Sequence, residues 1–526
     1  MHKYHLVHNP PRVSWLPAPS CAYASLSTAA LRPPVAHAHR LHATASYQIE
    51  GAWNEGGRGL SIWDTFSKKL GGDTGEIACD HYYRYRDDVK LMASLGLKNY
   101  RLSVSWSRLQ PDGRGALNPE GVAFYNDLIN CLVEHGVEPM VTLYHWDLPA
   151  ALHEDGERDG WLNEDIVQAY TDYARVCFEL FGDRVKSWLT FNEPWCSCVL
   201  GYGTGEHAPG LKCEDGSKVY RAAHNTLLAH AHAVDLYRRH FQPQQGGAIG
   251  ITLNSGWSEP LGDADPHVAR SHAAAAHRSL MWSLGWFADP IWRGGDYPRE
   301  MRERCGDKLP EFTEAEKKLI SGSSDFLGLN HYASEFIQHN EAGDFVSGWG
   351  TVTKGGFFGD MAATSVSHPS WSRTDMGWNV VPWGFTELLL WCHRRYQPSG
   401  GIYVTENGCA VPEPTKELAV EDHFRVAYFT SYVAAMHEAI EKGADVRGYY
   451  AWSFLDNFEW QLGFSKRFGM VHVDYATQQR TPKASAKWFA SLVAANELHI
   501  EVGARFTDAA TTHVIADATL AQQLAA

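Results

Sequence analysis

Two glutamates stand in short motifs that could break a glycosidic bond together: Glu193 in TFNEP (190–194) and Glu406 in VTENG (404–408). Cleavage with retention needs two carboxyls about 5 to 5.5 Å apart, one a nucleophile and the other first an acid and then a base. Each motif alone has a plainer reading. Asn407-Gly408 suits a hairpin turn, and a glutamate before Pro194 suits a helix entry stabilised by the helix dipole. Placed at the ends of two strands of one barrel, the pair favours catalysis.

The residue types expected around them suit a polyol. Amides at Gln48 and Asn192, an imidazole at His145 and a carboxylate at Glu459 can read hydroxyls, and the indoles Trp452 and Trp460 offer faces for an apolar ring surface. Singly, each would be an ordinary core or surface residue; what groups most of them is a place just after a predicted strand.

Such residues need a scaffold that brings distant motifs together. Short β-branched or aromatic runs alternate with longer amphipathic stretches, the pattern of βα units around a parallel sheet. Strands are predicted at 99–104, 138–143, 187–191, 248–252, 325–330, 402–405 and 446–452. Val122, Tyr125, Ile129, Leu132 and Val133 recur at helical spacing ahead of Gly136, where glycine can end a helix in the left-handed conformation. Seven units plus an obscured one at the start would close a single α/β fold, a (β/α)8 TIM barrel with long loops at the C-terminal face of the strands. HWD (145–147), NEP (192–194), NHY (330–332), ENG (406–408) and DNFEW (456–460) all follow those strands, on the face where barrel enzymes place their sites.

Composition narrows the field. The 526 residues are 44% hydrophobic, 12% aromatic and 20% charged, and no apolar run approaches the roughly 18 residues that span a bilayer, so a soluble chain with a large core is expected. A net charge of −15 disfavours nucleic acid and anionic membranes as partners. Ten cysteines are scattered with no Cys-x-x-Cys pair, which suggests reduced thiols in a cytosol-like compartment. There is no dinucleotide fingerprint, phosphate loop or Gly-x-Ser-x-Gly elbow, and His224, His230 and His232 do not share one helical face; no metal or organic cofactor is expected. Residues 1–49 lack Asp and Glu and carry six His, a composition like that of an organelle transit peptide or an unstructured extension. The expected division is an atypical extension over 1–42, the barrel over 43–495 and an appendage over 496–526, with a cytoplasmic location, or an organellar one if the extension is a transit peptide.

ATASYQIEGAWNEGGRGLSIWDTF, NYRLSVSWSR, LYHWDLP, TFNEPW, GLNHYAS, VTENG and AWSFLDNFEWQLGFSKRFGMVHVDY, spread from about Ala43 to Leu492, resemble glycoside hydrolase family one, the β-glucosidase family. The resemblance implies a cofactor-free, retaining, exo-acting β-glycosidase that removes terminal β-D-glucosyl, or also galactosyl or fucosyl, residues from small glycosides or oligosaccharides such as cellobiose. It also implies roles: Glu193 as acid/base, Glu406 as nucleophile, Gln48, His145, Asn192, Glu459 and Trp460 on the glycone hydroxyls, and Trp452 as the glycone's stacking floor. Arg101, Asn330 and Tyr332 would support the nucleophile, and Trp195 and residues 341–380 would line the leaving-group side. The sequence departs from the family at PPVAHAHRLH (33–42), where an apolar first strand is usual, so a poorly packed barrel seam and a misplaced Gln48 are expected there. Glu193 argues against the thioglucosidase branch. Glu459 argues against a phospho-β-glycosidase, which Ser465 and Lys466 keep as an alternative, and a non-catalytic sugar-binding member of the fold is the other.

Overall fold

The computed structural model describes residues 39–154, 158–341, 344–346 and 352–495. Expectations for the N-terminal extension before residue 39 and for the appendage over 496–526 lie outside the described residues, as does Cys21. Eight parallel strands close into a barrel: β1 (His39–Ala43), β2 (Asn99–Ser103), β3 (Glu138–Tyr144), β4 (Ser187–Asn192), β5 (Ala248–Asn254), β6 (Leu327–Asn330), β7 (Ile402–Asn407) and β8 (Val446–Trp452). Each strand pairs with its neighbours in sequence, and β8 returns to β1. The chain returns between strands through helices that include α1 (His81–Ser94), α2 (Pro119–Glu134), α3 (Asp165–Phe181), α4 (Ser217–His240), α5 (Pro266–Leu280), α6 (Pro382–Tyr396) and α7 (His423–Glu441), and α8 (Ala484–Ala495) follows the last strand.

Local chemistry explains these elements. In α2, Pro119 takes the first helical position, where a missing N–H costs nothing, and the Asn118 side chain accepts from Glu120 N. Its buried stripe runs through Phe124, Tyr125, Leu128, Ile129 and Leu132. Val133, expected on that stripe, is instead 48% exposed. Gly136 follows with φ +69°.

The first strand is the main departure from expectation. HRLHA (39–43) pairs along its full length with β8, His39 opposite Gly448 through Ala43 opposite Trp452, and reaches β2 at His42 and Ala43. It therefore straddles the boundary expected between residues 42 and 43. His42 packs outward as an aromatic plate between Phe454 (5.9 Å between ring centroids) and Phe489 of α8 (4.8 Å). Ala43 turns inward onto a cluster with Met140, Leu189, Phe326 and Tyr450 that fills the barrel. Partners on both sides override the low strand propensity of this sequence, and the seam is packed. Among the described residues, no helix is long and apolar enough to cross a membrane, and the nine cysteines present are unpaired thiols, all but Cys213 buried.

Candidate active site

A cavity of about 630 Å³ opens at the C-terminal ends of the strands. Glu193, Glu406, His145, Asn192, Trp452, Glu459, Trp460, Asn330 and Tyr332 all line it. Gln48 and Arg101 stand behind that lining, each bonded to residues of the wall. All the expected site residues are thus brought together.

The two candidate catalytic carboxyls sit in opposite surroundings. Glu406 ends β7 and receives Arg101 Nη1 on Oε1 at 2.5 Å and Tyr332 Oη on Oε2 at 2.7 Å. Glu193, just past β4, accepts from Asn330 Nδ2 on Oε1 at 2.7 Å and from Cys196 Sγ on Oε2 at 3.2 Å. Burial, and then the nearby charge of Glu406, push the Glu193 carboxyl up to about 8, against the hydrogen bonds from Asn330 and Cys196 and the charge of Arg101. One partner is a carboxylate braced by a cation and a phenol; the other is held protonated near neutral pH, as a proton donor must be.

Hydrogen-bond logic also fixes what faces a ligand. Asn192 Oδ1 accepts from Arg101 Nη2 (2.6 Å) and Asn330 Nδ2 (3.1 Å), so its Nδ2 must be the atom facing His145 Nε2 at 3.0 Å. An imidazole that accepts at Nε2 carries its proton on Nδ1, and His145 Nδ1 is buried with no protein partner. Burial, and secondarily Arg101, hold this imidazole neutral by moving its pKa well below the ordinary value. Gln48 Nε2 donates to Asn457 Oδ1 (3.0 Å), Phe458 O (2.9 Å) and Glu459 Oε2 (3.4 Å), which leaves its buried Oε1 without a protein partner. One donor and one acceptor, both desolvated, are the complement of a hydroxyl group. Glu459 adds a third buried carboxyl, raised to about 8 by burial and by the charges of Glu406 and Glu193.

Backbone features hold these groups in place. Gly408 of the ENG motif could not carry a side chain, because a Cβ there would meet Trp452 O at 1.8 Å. Asn407 donates to His331 O (2.7 Å) and accepts from Tyr449 Oη (2.6 Å), tying β7 to both neighbours. The motif is therefore a strand end, and the hairpin reading is set aside. Trp146, Glu193 and Trp460 lie at φ +72°, +44° and +50°, a left-handed backbone that costs L-residues free energy and gathers at functional sites.

Of the residues expected to line the leaving-group side, Trp195 and, from the 341–380 segment, Phe357, Phe358, Arg373 and Trp378 line the cavity. Residues 342–343 and 347–351 of that segment lie outside the described residues. Sequence reasoning missed Cys196, which lies one helical turn after Glu193. It also missed the wall at Ser255 and Trp257, because the strand expected to end at 252 runs on to Asn254, and these residues follow its true end. Asp147 of the HWD motif, to which the sequence assigned no role, accepts from Ser46 Oγ at 2.8 Å and ties the loop after β3 to the Gln48 segment.

Comparison with known proteins gives the family. The family described as glycosyl hydrolase family 1 matches residues 41–498. β-Glucosidase 4 of Oryza sativa subsp. japonica is 47% identical over 468 residues, covering 85% of this chain and 92% of the rice protein. Among solved structures, a rice β-glucosidase variant in covalent complex with glucose superposes with a TM-score of 0.81 at 38% identity, covering 87% of this chain and 98% of that one. The family 1 β-glucosidase of Thermotoga maritima gives a TM-score of 0.79 at 39% identity, covering 88% and 98%.

Proposed function

The chain belongs to glycosyl hydrolase family 1 and is a glycoside hydrolase of β-glucosidase type, and from that premise we propose that it removes terminal β-D-glucosyl residues with net retention, with Glu406 as nucleophile and Glu193 as acid/base. The observation that carries the reading is the opposite setting of two carboxyls in one cavity: Glu406 braced by Arg101 and Tyr332, Glu193 kept protonated.

In the first step the Glu406 carboxylate attacks the anomeric carbon while Glu193 gives its proton to the departing glycosidic oxygen. The product is an α-linked glycosyl ester on Glu406. Forming that ester removes the Glu406 charge that had raised Glu193, so the now ionised Glu193 can take a proton from the incoming water. Attack by that water from the β face restores Glu406 and releases a β-sugar. His145, Gln48 and Glu459 orient the glycone through its hydroxyls. The covalent glucose complex of the rice relative supports the two-step route by analogy.

Azide separates the two roles. Glu406→Gly should abolish turnover, and added azide should restore it with an α-glycosyl azide as product. Glu193→Ala should still be glycosylated by aryl glucosides with good leaving groups, and azide should then give the β-glycosyl azide. Swapped anomers would reverse the roles, and full activity in both variants would remove the assignment. A panel of chromogenic glucoside, galactoside and fucoside ranks the sugars.

A further inference from the structure

Glu193 carries two hydrogen-bond donors of different kinds, one on each oxygen. Asn330 Nδ2 faces Oε1 at 2.7 Å, and its amide orientation is fixed because the same Nδ2 donates to Asn192 Oδ1 at 3.1 Å, an atom that Arg101 Nη2 marks as an acceptor. An amide nitrogen can only donate, and a carboxylic acid accepts better at its carbonyl oxygen than at its hydroxyl, so that bond favours the carbonyl on Oε1. The transferable proton therefore belongs on Oε2, whose partner is Cys196 Sγ at 3.2 Å. The thiol is itself anchored. Cys196 N donates to Glu193 O at 2.9 Å, one turn back, and Asn254 Nδ2 at the end of β5 approaches Sγ at 3.7 Å.

We propose that Cys196 is a positioning residue that selects Oε2 of Glu193 as the proton-transferring oxygen and, as a weak donor, lets that oxygen change between acid and base forms. The proposal rests on the reading of Glu193 as acid/base. A thiol can donate its hydrogen to the Oε2 carboxylate and can accept from the Oε2 carboxylic acid. A hydroxyl at the same place would donate more strongly and hold the carboxylate; an alkyl group would donate nothing. Burial and the charge of Glu193 keep the thiol itself protonated. The charged and titratable groups that act on Glu193 from the surrounding elements are Glu406 from β7, Arg101 from β2, and Tyr332 and Glu459 from the loops after β6 and β8. Substitution at position 196 leaves all of them in place, so a difference among Cys196 variants reports on that position.

The test compares two pairs, Cys196→Ser with Cys196→Ala and Cys196→Thr with Cys196→Val, by the pH dependence of kcat/KM on an aryl β-glucoside with a poor leaving group. In each pair the hydroxyl member should lose activity at lower pH than its alkyl partner, with wild type between them and a separation of about half a unit or more. Two pairs keep the comparison if one variant fails to fold. Coincident alkaline limbs within both pairs, with only uniform losses of rate, would overturn the proposal and leave Cys196 a packing residue. Glu193→Gln is the control for the underlying reading. If its residual activity kept the wild-type alkaline limb, that limb would belong to another group, and the assignment of Glu193 would fail independently of Cys196.

Discussion

Three buried carboxyl groups, Glu193, Glu406 and Glu459, share one cavity, and Glu459 bears the clearest electrostatic consequence. Its folded-state pKa of about 8 lies above the value near 4.3 of an unfolded chain. The native state thus binds a proton that the unfolded state releases, so the cost to stability is absent below the unfolded value, grows as pH rises from there, and is complete above about 8. Glu459→Gln should therefore raise the unfolding temperature by roughly one or two degrees at pH 8 and leave it unchanged at pH 4; calorimetry at the two pH values checks both signs. The same substitution should lower kcat/KM for β-glucosides by about ten- to a hundredfold, the scale of buried sugar hydroxyls left mispaired. At this scale the sequence was most informative about residues in compact motifs on strand ends. Cys196 was invisible because its contact with Glu193 depends on the turn after NEP, and the tautomer of His145 depends on an amide fixed by Arg101 from another strand.

The loop after β8 presents Glu459 and Trp460, and ionic contacts beneath it explain why it holds its shape. Asp456 receives Lys483 Nζ and Arg467 Nη1, each at 2.8 Å, and Gly469 N at 2.9 Å. Lys483 also reaches Glu413 at 2.5 Å, and Arg425 joins Glu413 (3.0 Å) to Asp422 (2.5 Å). Glu413, Asp456 and His472 are close enough to suggest cation ligands, but the chain's own cations already serve the two carboxylates. Removing one partner of a buried set strands the other charges, at about 3–5 kcal/mol. Lys483→Met should lower the denaturation midpoint accordingly and raise KM for β-glucosides, since Asp456 adjoins Asn457, the partner of Gln48. Arg299→Ala, which breaks an exposed pair with Glu303, should change neither measurement. Seven strands were legible from their β-branched and aromatic runs, with ends shifted by at most two residues. The first was not, because HRLHA has the composition of a loop, and only the flanking strands, Phe454 and Phe489 make it a strand.

At the scale of the whole barrel, strand order follows sequence order and closure leaves none of its eight strands as a free edge. Closure was legible only as arithmetic, seven visible units requiring an eighth, because pairing between residues some four hundred positions apart leaves no local pattern. The contact of His42 with Phe489 at 4.8 Å has a topological consequence: the two ends of the described chain lie on the same flank of the ring, so the order in which the βα units are synthesised is separable from the order in which they close. A gene starting at Asp263 and ending at Gly262, within an exposed stretch before α5, with Ala495 joined to His39 by a linker of about ten residues reaching about 30 Å, should encode the same enzyme as a circular permutant. Cooperative unfolding and hydrolysis of an aryl β-glucoside by that permutant would establish it. An aggregated or inactive product would mean that the seam between β8 and β1 must form from chain ends free to move.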